Sequence, residues 1–216
     1  MKATRSRKRV RALHVGVTGH RPNRMPERQW RRIKRTLAQA MAKIEAENPG
    51  RPLVLVTGLA EGADRFAAFV ALGRGWSLHV ILAFHQSRFE KDFPDPYAIG
   101  EFRALLDASA QLEEPNKRWH IRKAPEKGYE AVGKRLLKLS DVLIAIWDGK
   151  ASRGKGGTIE VIKEAQGKNI PVYWLHATKA QGLRLLKDKA ARGKARSAVS
   201  TRKKSSTHAR MRIGVR

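Results

Sequence analysis

The sequence has no cysteine, which excludes disulfide scaffolds, cysteine-ligated zinc, iron–sulfur clusters and thiol catalysis. Its apolar runs fall far short of the roughly 20 residues that a membrane-spanning helix needs. The basic residues of Met1–Arg11 are not followed by an apolar segment with a cleavage site, so no secretory signal is indicated. The seven histidines lack metal-ligand spacings such as H-E-x-x-H. We therefore expect a cytoplasmic protein with no metal site and no membrane partner.

Acidic residues are scarce relative to basic ones. The 216 residues carry 46 Lys and Arg against 19 Asp and Glu, a formal net charge of +27. The ends hold most of the excess: Met1–Arg11 has six basic residues and no acid, and Leu183–Arg216 has twelve against one acid. Such arms attract polyanions such as nucleic acid by releasing counterions, although a solubilising, disordered tail fits the composition equally well. We predict a basic arm over 1–11, one domain over 12–178 and a largely disordered basic tail over 179–216.

Short apolar runs alternate with amphipathic stretches through the middle of the chain. Strands are predicted at Leu13–Val17, Leu53–Val56, Leu78–Phe84, Trp119–Arg122, Asp141–Trp147 and Val172–Leu175. Helices are predicted at Glu27–Glu47, Ala63–Leu72, Ala98–Leu112, Gly128–Leu139 and Thr158–Gln166, with a further helical turn near Leu183–Leu186. Strands rich in Val, Ile and Leu that alternate with helices are typical of an α/β fold with a doubly wound, mainly parallel sheet.

A glycine-rich loop follows the strand Asp141–Trp147. Gly154, Gly156 and Gly157 let the backbone approach an anion closely, because glycine has no side chain. The helix that begins near Thr158 directs unpaired N–H groups and the positive end of its dipole at the same place. Thr158 is expected to cap this helix or to donate its hydroxyl to a phosphate. The loop therefore predicts a phosphate-binding site, with a turn that merely needs glycine as the alternative.

The loop after the second strand has the same character. Thr57 supplies a hydroxyl, Gly58 and Gly62 free the backbone, and Glu61 or Asp64 can bind a sugar hydroxyl. Simple helix-end electrostatics is the alternative for Asp64. Because ligands of doubly wound sheets bind at the carboxyl ends of the strands, this loop is expected to share a site with the glycines near Thr158.

The loop after the first strand contributes Gly19, His20 and Arg21. The guanidinium of Arg21 has the fork geometry that suits a phosphate or carboxylate, and His20 can donate to the same anion. A structural or surface role is the alternative for the histidine. These residues complete a predicted composite site built from three strand ends.

Two carboxylates are best placed for catalysis at a sugar. Asp148 ends the central strand and Glu160 lies in the first turn of the helix after the glycine loop, so either can position water near a glycosidic carbon or attack it. The alternative for Glu160 is a favourable interaction with the helix N-terminus. The P-loop, G-x-G-x-x-G and G-x-S-x-G motifs are absent.

Together these loops resemble the SLOG superfamily of Rossmann-like nucleotide-binding domains, which includes the Smf/DprA proteins and the LOG phosphoribohydrolases. The segments that carry the resemblance are Val17–Arg21, Thr57–Asp64, Asp141–Trp147 and Gly156–Thr158. The Thr57–Asp64 loop is similar to the signature loop of DprA-like proteins, and Gly156–Thr158 is similar to the phosphate loop of LOG enzymes. The resemblance implies a Rossmann-like fold and ligands such as nucleotides, nucleotide-derived signals or single-stranded DNA.

One departure from the resembled family bears on activity. LOG-type enzymes place a catalytic glutamate three residues after the loop threonine, and Val161 stands there in this chain, with Glu160 one residue earlier. The leading prediction is therefore a nucleotide-binding domain that acts as a sensor or binding module, with no cofactor apart from a nucleotide ligand. A hydrolase of nucleotide N-glycosidic bonds and a DprA-like single-stranded DNA-binding protein are the alternatives. A homo-oligomer is compatible with the sequence.

Overall fold

A computed structural model describes residues 10–93, 95–114, 125–151 and 157–186 of the chain. The strands are β1 Leu13–Gly19, β2 Leu53–Thr57, β3 Ser77–Ile81, β4 Gln111–Glu113, β5 Val142–Trp147, β6 Val172–His176 and β7 Arg184–Leu186. The helices are α1 Trp30–Glu47, α2 Ala63–Gly73, α3 Gln86–Phe89, α4 Pro96–Asp107, α5 Pro125–Leu139 and α6 Thr158–Gly167. Single 3₁₀ turns occupy Pro22–Arg24, Glu27–Gln29 and Glu90–Asp92.

The strands form one sheet in the order β4-β3-β2-β1-β5-β6-β7, in which β1 to β6 are parallel and β7 is antiparallel. From β1 the chain moves outward through β2, β3 and β4, and then returns to place β5 on the other side of β1. The strand order therefore reverses between β1 and β5, which is where ligands bind in sheets of this type. The predicted α/β class with a doubly wound, mainly parallel sheet is confirmed.

Two hydrophobic clusters lie on the two faces of the sheet. Along β5, Ile144 and Ile146 belong to the cluster with α1, α2 and α4, whereas Leu143 and Ala145 belong to the cluster with α5 and α6. Successive side chains of a strand point to opposite faces, so β5 is buried on both. This arrangement explains the continuous apolar run from Val142 onward.

The helix predicted over Ala98–Leu112 ends earlier than expected. α4 stops at Asp107, where the N–H and hydroxyl of Ser109 both donate to the carbonyl of Leu106 and close the turn. Gln111–Glu113 then pairs with β3 as the parallel edge strand β4. The helical prediction for Leu112 was wrong because backbone pairing with β3 outweighs a weak helical pattern.

The helical turn predicted near Leu183–Leu186 was also wrong. These residues contain β7, which pairs with β6 through Tyr173 and Leu185 and so satisfies the backbone groups at the outer edge of β6. β7 lies beyond residue 178, where the apolar pattern predicted the domain to end. The strand predicted at Trp119–Arg122 lies outside the described residues, as do residues 1–9 and 187–216 of the predicted arms.

No helix in the described part of the chain is long and apolar enough to cross a membrane.

α1 begins at Trp30 rather than at Glu27, because Glu27–Gln29 forms a 3₁₀ turn that runs into it. Its predicted apolar face is confirmed, since Ile33, Leu37 and Ile44 are buried.

Candidate functional site

A cavity of about 540 Å³ opens at the carboxyl ends of the strands, beside the point where strand order reverses. Its volume lies within the usual range for small-molecule sites. Loops from three strand ends meet there, as the sequence predicted for a composite site. The predicted residues that line it are Gly19, His20, Arg21, Gly58, Asp64, Gly157 and Thr158.

Other predicted site residues are placed elsewhere. Thr57 is fully buried, and its hydroxyl accepts a hydrogen bond from the N–H of Leu59. Glu61 and Gly62 are not among the described lining residues, and Glu160 is exposed outside the cavity. Gly154 and Gly156 lie outside the described residues.

The backbone of His20 joins the loop after β1 to the end of β5 and to the loop between β2 and α2. Its N–H donates to the carbonyl of Ile146 at 3.1 Å, and its carbonyl accepts from the N–H of Ala63 at 3.1 Å. A Cβ on Gly62 would lie 2.8 Å from the His20 carbonyl oxygen, and Gly62 has a φ of +94°. Gly62 therefore serves the close approach of the two loops, a role different from the ligand contact predicted for it.

Gly19 both allows close packing of the backbone and lines the cavity. A Cβ at this position would lie 2.4 Å from the Cβ of Ala63 and 2.9 Å from that of Ile146. Glycine is therefore needed for the end of β1 to pack between β5 and the start of α2, while its backbone still faces the cavity.

Asp148 lies at the end of β5 in a cluster with His20 and Arg24. One carboxylate oxygen, Oδ1, is 3.0 Å from Nε2 of His20 and accepts the N–H of Lys150 at 3.0 Å. The other, Oδ2, pairs with Nη2 of Arg24 at 2.9 Å. Both oxygens are thus occupied within the protein, which suits Asp148 to organising the loops rather than activating water.

The pKa values of this cluster follow from burial and hydrogen bonding. Burial by itself raises the pKa of Asp148, but hydrogen bonds from His20, the Lys150 N–H and Arg24 together bring it below the ordinary value. Burial lowers the pKa of His20, against the opposing effect of its hydrogen bond with Asp148. Nε2 of His20 is also 3.1 Å from the backbone nitrogen of Asp148, so it either donates to the carboxylate or accepts that N–H, according to tautomer.

Arg21 is oriented by a chain of hydrogen bonds that the sequence did not reveal. Its Nη2 donates to the hydroxyl of Tyr129 at 2.8 Å, and that hydroxyl donates to Oδ2 of Asp92 at 2.8 Å. Asp92 is also paired with Arg88 at 2.6 Å. Burial raises the pKa of Tyr129, so the phenol stays protonated and can donate. All four side chains line the cavity.

The N-terminus of α6 faces the cavity. The first intrahelical hydrogen bonds are donated by Glu160 and Val161 to the carbonyl of Gly157, so the N–H groups of Thr158 and Ile159 precede them. Both residues line the cavity. N–H groups at this position, with the positive end of the helix dipole, favour an anion.

The capping role expected for Thr158 is not observed. Gly157 is the N-cap residue, in an extended conformation and without a side-chain cap, and Thr158 is the first helical residue. Val161 lines the cavity, whereas the adjacent Glu160 is exposed. One residue on a helix corresponds to a rotation of about 100°, which accounts for the difference.

Asp64 is a buried carboxyl that lines the cavity. Burial raises its pKa to about 7, although N–H groups of Ala60 and Gly58 and the charge of Arg21 act in the opposite direction. The group therefore titrates near neutral pH inside the candidate site. The pattern of the Thr57–Asp64 loop indicates Asp64 as a site residue but not its raised pKa, which depends on how deeply the start of α2 is buried.

The side chains that line the cavity are predominantly basic. Arg21, Arg24, Arg88 and Lys150 stand against two acids, Asp64 and Asp92. Arg24, Lys150 and Tyr129 were missed by sequence reasoning because only the folded loops bring them to the same cavity. Within the described ranges, no group of three or more His, Asp or Glu side chains is arranged to hold a metal ion.

No family model matches the sequence, and no curated protein is similar to it in sequence. Solved structures share its fold. DNA processing protein A (DprA) from Helicobacter pylori is 22% identical with a TM-score of 0.50, covering 84% of this chain and 71% of its own. DprA from Streptococcus pneumoniae is 18% identical with a TM-score of 0.49, covering 76% of this chain and 50% of its own.

The Moco carrier protein of Chlamydomonas reinhardtii is 18% identical with a TM-score of 0.44, covering 78% of each chain. The present chain spans half the length of the S. pneumoniae protein. At these identities the likeness concerns the fold alone, which is a Rossmann-like α/β fold.

Proposed function

We propose that the cavity binds a nucleotide or a nucleotide-derived ligand and that the domain acts as a binding module. The observation that carries the proposal is the convergence of the α6 N-terminus with Arg21, Arg24 and Lys150 on one cavity at the switch point of the sheet. The phosphate is assigned to the N–H groups of Thr158 and Ile159, which precede the first intrahelical hydrogen bonds of α6.

The rest of the cavity suits a sugar and a base. Apolar side chains of Val132, Leu136 and Val161 form one wall, and the ring of Tyr129 adds an aromatic surface. A mixed lining of this kind, with a few fixed polar groups, is typical of small-molecule sites. The carboxyl of Asp64 supplies a hydrogen-bonding group for a hydroxyl of the ligand.

Binding is better supported than hydrolysis of the glycosidic bond. Glu160 is exposed and outside the cavity, and both oxygens of Asp148 are held by His20, Lys150 and Arg24. Neither carboxylate proposed from the sequence is therefore placed to activate water.

Single-stranded DNA is a second candidate ligand. The basic lining suits a terminal phosphate of a strand as well as that of a mononucleotide. The H. pylori protein that shares the fold binds single-stranded DNA. A short oligonucleotide therefore belongs in any ligand screen beside the mononucleotides.

Replacing Gly157 with leucine is expected to remove ligand binding while the fold survives. Gly157 has an extended backbone that any residue adopts, but a leucine side chain at the N-cap obstructs the anion site. A ligand at about 100 times its Kd stabilises a protein by about 2.7 kcal/mol, which raises the Tm by about 5 to 10 °C for a domain of this size. The shift should fall to about 1 °C in the variant if affinity drops about 100-fold.

The matched control is Gly167→Leu, at the other end of α6. Gly167 is exposed and a Cβ there meets no atom within 4 Å. Nucleoside mono- and diphosphates, cyclic dinucleotides, ADP-ribose and a short oligonucleotide form the screen. An unchanged thermal shift in Gly157→Leu would contradict the assignment of the phosphate to the N-terminus of α6.

A further inference from the structure

The N-terminal part of α1 carries an unusual charge distribution. Among residues 24–35 there is one acid, Glu27, and six basic residues, which are Arg24, Arg28, Arg31, Arg32, Lys34 and Arg35. The acids of the helix, Glu45 and Glu47, lie at its other end. This order opposes the helix dipole, which favours acids at the N-terminus and bases at the C-terminus.

Arg28, Arg31 and Arg35 form a stripe along one side of this segment. Arg28 and Arg31 are three residues apart across the 3₁₀ turn, and Arg31 and Arg35 are four apart on α1, about 6 Å along its axis. All three are exposed. The stripe begins four residues after Arg24, whose side chain lines the cavity.

These three arginines have no ion pairs of the kind that cations on other helices of the domain form. Across the described residues, no carboxylate lies within 4.0 Å of any of their guanidinium nitrogens. By contrast, Arg103 pairs with Glu90, Lys134 with Glu130 and Lys168 with Glu164. Pairs of this kind neutralise individual cations on α4, on α5 and at the end of α6, whereas none of the three arginines of the stripe has one among the described residues.

The stripe is unfavourable for the isolated fold. Like charges at spacings of three and four on a helix repel each other, and cations near a helix N-terminus oppose the dipole. An arrangement that weakens its own helix is explained when an external anion offsets the repulsion. A chain of phosphates is the anion that a linear row of arginines matches best.

We propose that Arg28, Arg31 and Arg35 bind the phosphodiester backbone of a nucleic acid strand. Contacts to phosphates alone position the strand without reading its sequence. This surface is separate from the ligand cavity and does not depend on what the cavity binds.

The test compares two triple variants that lose the same charge. The first is Arg28→Gln, Arg31→Gln and Arg35→Gln, and the matched control is Arg103→Gln, Lys134→Gln and Lys168→Gln, whose cations are ion-paired in the native fold. Binding of a fluorescein-labelled oligodeoxythymidine of about 20 nucleotides is followed by anisotropy from 50 to 200 mM salt. Circular dichroism and Tm check that each full-length variant is folded.

The stripe variant is expected to bind more than tenfold more weakly at the lowest salt. Its slope of log K against log salt should be shallower by about 2, since each lost phosphate contact on a single strand removes about 0.7. The control variant should keep the wild-type slope. Equal slopes in the two variants would overturn the proposal, as would binding to phosphatidylserine vesicles without binding to the oligonucleotide.

The outcome is distinguishable from that of the cavity experiment. The stripe variant should retain the thermal shift produced by a mononucleotide, and Gly157→Leu should retain the wild-type salt slope. A shallower slope of log K against log salt in Gly157→Leu, with no change in the stripe variant, would indicate that the strand binds in the cavity. That result would contradict the proposal for the stripe.

Discussion

Alanine in place of Asp148 is expected to lower the free energy of unfolding by about 3 to 5 kcal/mol, the usual cost of removing one partner of a buried ion pair. The Asp148 side chain is 8% exposed. Its loss leaves the side chains of His20 and Arg24, which are 4% and 20% exposed, without the carboxylate that they share. Urea denaturation of the variant and the wild type at neutral pH measures the difference.

Asp141→Ala provides the matched control, because Asp141 directly precedes the opposite end of β5. Its ion pair with Arg11 is at the surface, where the arginine side chain is 77% exposed, and its other oxygen accepts the N–H of His14 at 3.0 Å. Loss of both is expected to cost about 1 to 2 kcal/mol. If Asp148→Ala costs no more than Asp141→Ala, the cluster does not anchor the loops. Asp148 would then again be a candidate for catalysis.

The second large effect concerns Asp64 and depends on pH. The pKa of the carboxyl is about 7 in the folded protein, against about 3.9 in an unfolded chain. Between these values the folded state holds the proton more tightly. The stability that Asp64 contributes is therefore complete below pH 4 and is lost as the pH rises through 7. The loss is on the order of 4 kcal/mol, at about 1.4 kcal/mol for each pKa unit.

Asp64→Asn removes this titration, and the amide oxygen can still accept the N–H groups of Gly58 and Ala60. The difference in free energy of unfolding between the variant and the wild type should therefore move in favour of the variant by roughly 4 kcal/mol between pH 4 and pH 8. Denaturation curves of both proteins across this range give the difference, in which other titrations cancel. Parallel pH profiles would show that the buried carboxyl titrates in its ordinary range.

The parts of the fold that were predictable are those with strong local patterns. The uninterrupted apolar run of β5 requires burial on both faces, and the apolar spacing of α1 requires one buried face, so both elements were found from the sequence. β4 and β7 were missed because they are three-residue edge strands. Their pairing is set by the neighbouring strand rather than by their own residues.

The candidate site was predictable where it depends on backbone geometry. Glycines after parallel strands and a helix that starts at a glycine loop indicate a phosphate site from the sequence alone. Side-chain networks gave no such signal. Tyr129 is 108 residues from Arg21 and 37 from Asp92, so the chain of hydrogen bonds that orients Arg21 exists only in the folded protein.

The glycines themselves illustrate the limit of sequence reasoning. Gly157 and Gly62 look alike in the sequence, because each opens a helix after a parallel strand. Gly157 lines the cavity, whereas Gly62 allows the His20 carbonyl to approach α2. Only the positions of the neighbouring loops distinguish a glycine that faces the cavity from one that allows close packing.

The most direct measurement of the central claim is a titration of ¹⁵N-labelled protein with adenosine, cytidine, guanosine and uridine monophosphates, followed by amide chemical shifts. The account predicts that at least one of them shifts the amide signals of Thr158 and Ile159 most strongly, with smaller changes at Gly19 and Gly58 in the adjoining loops. Saturable shifts confined to residues outside the cavity, or no shift at Thr158 and Ile159 with any of the four, would contradict it.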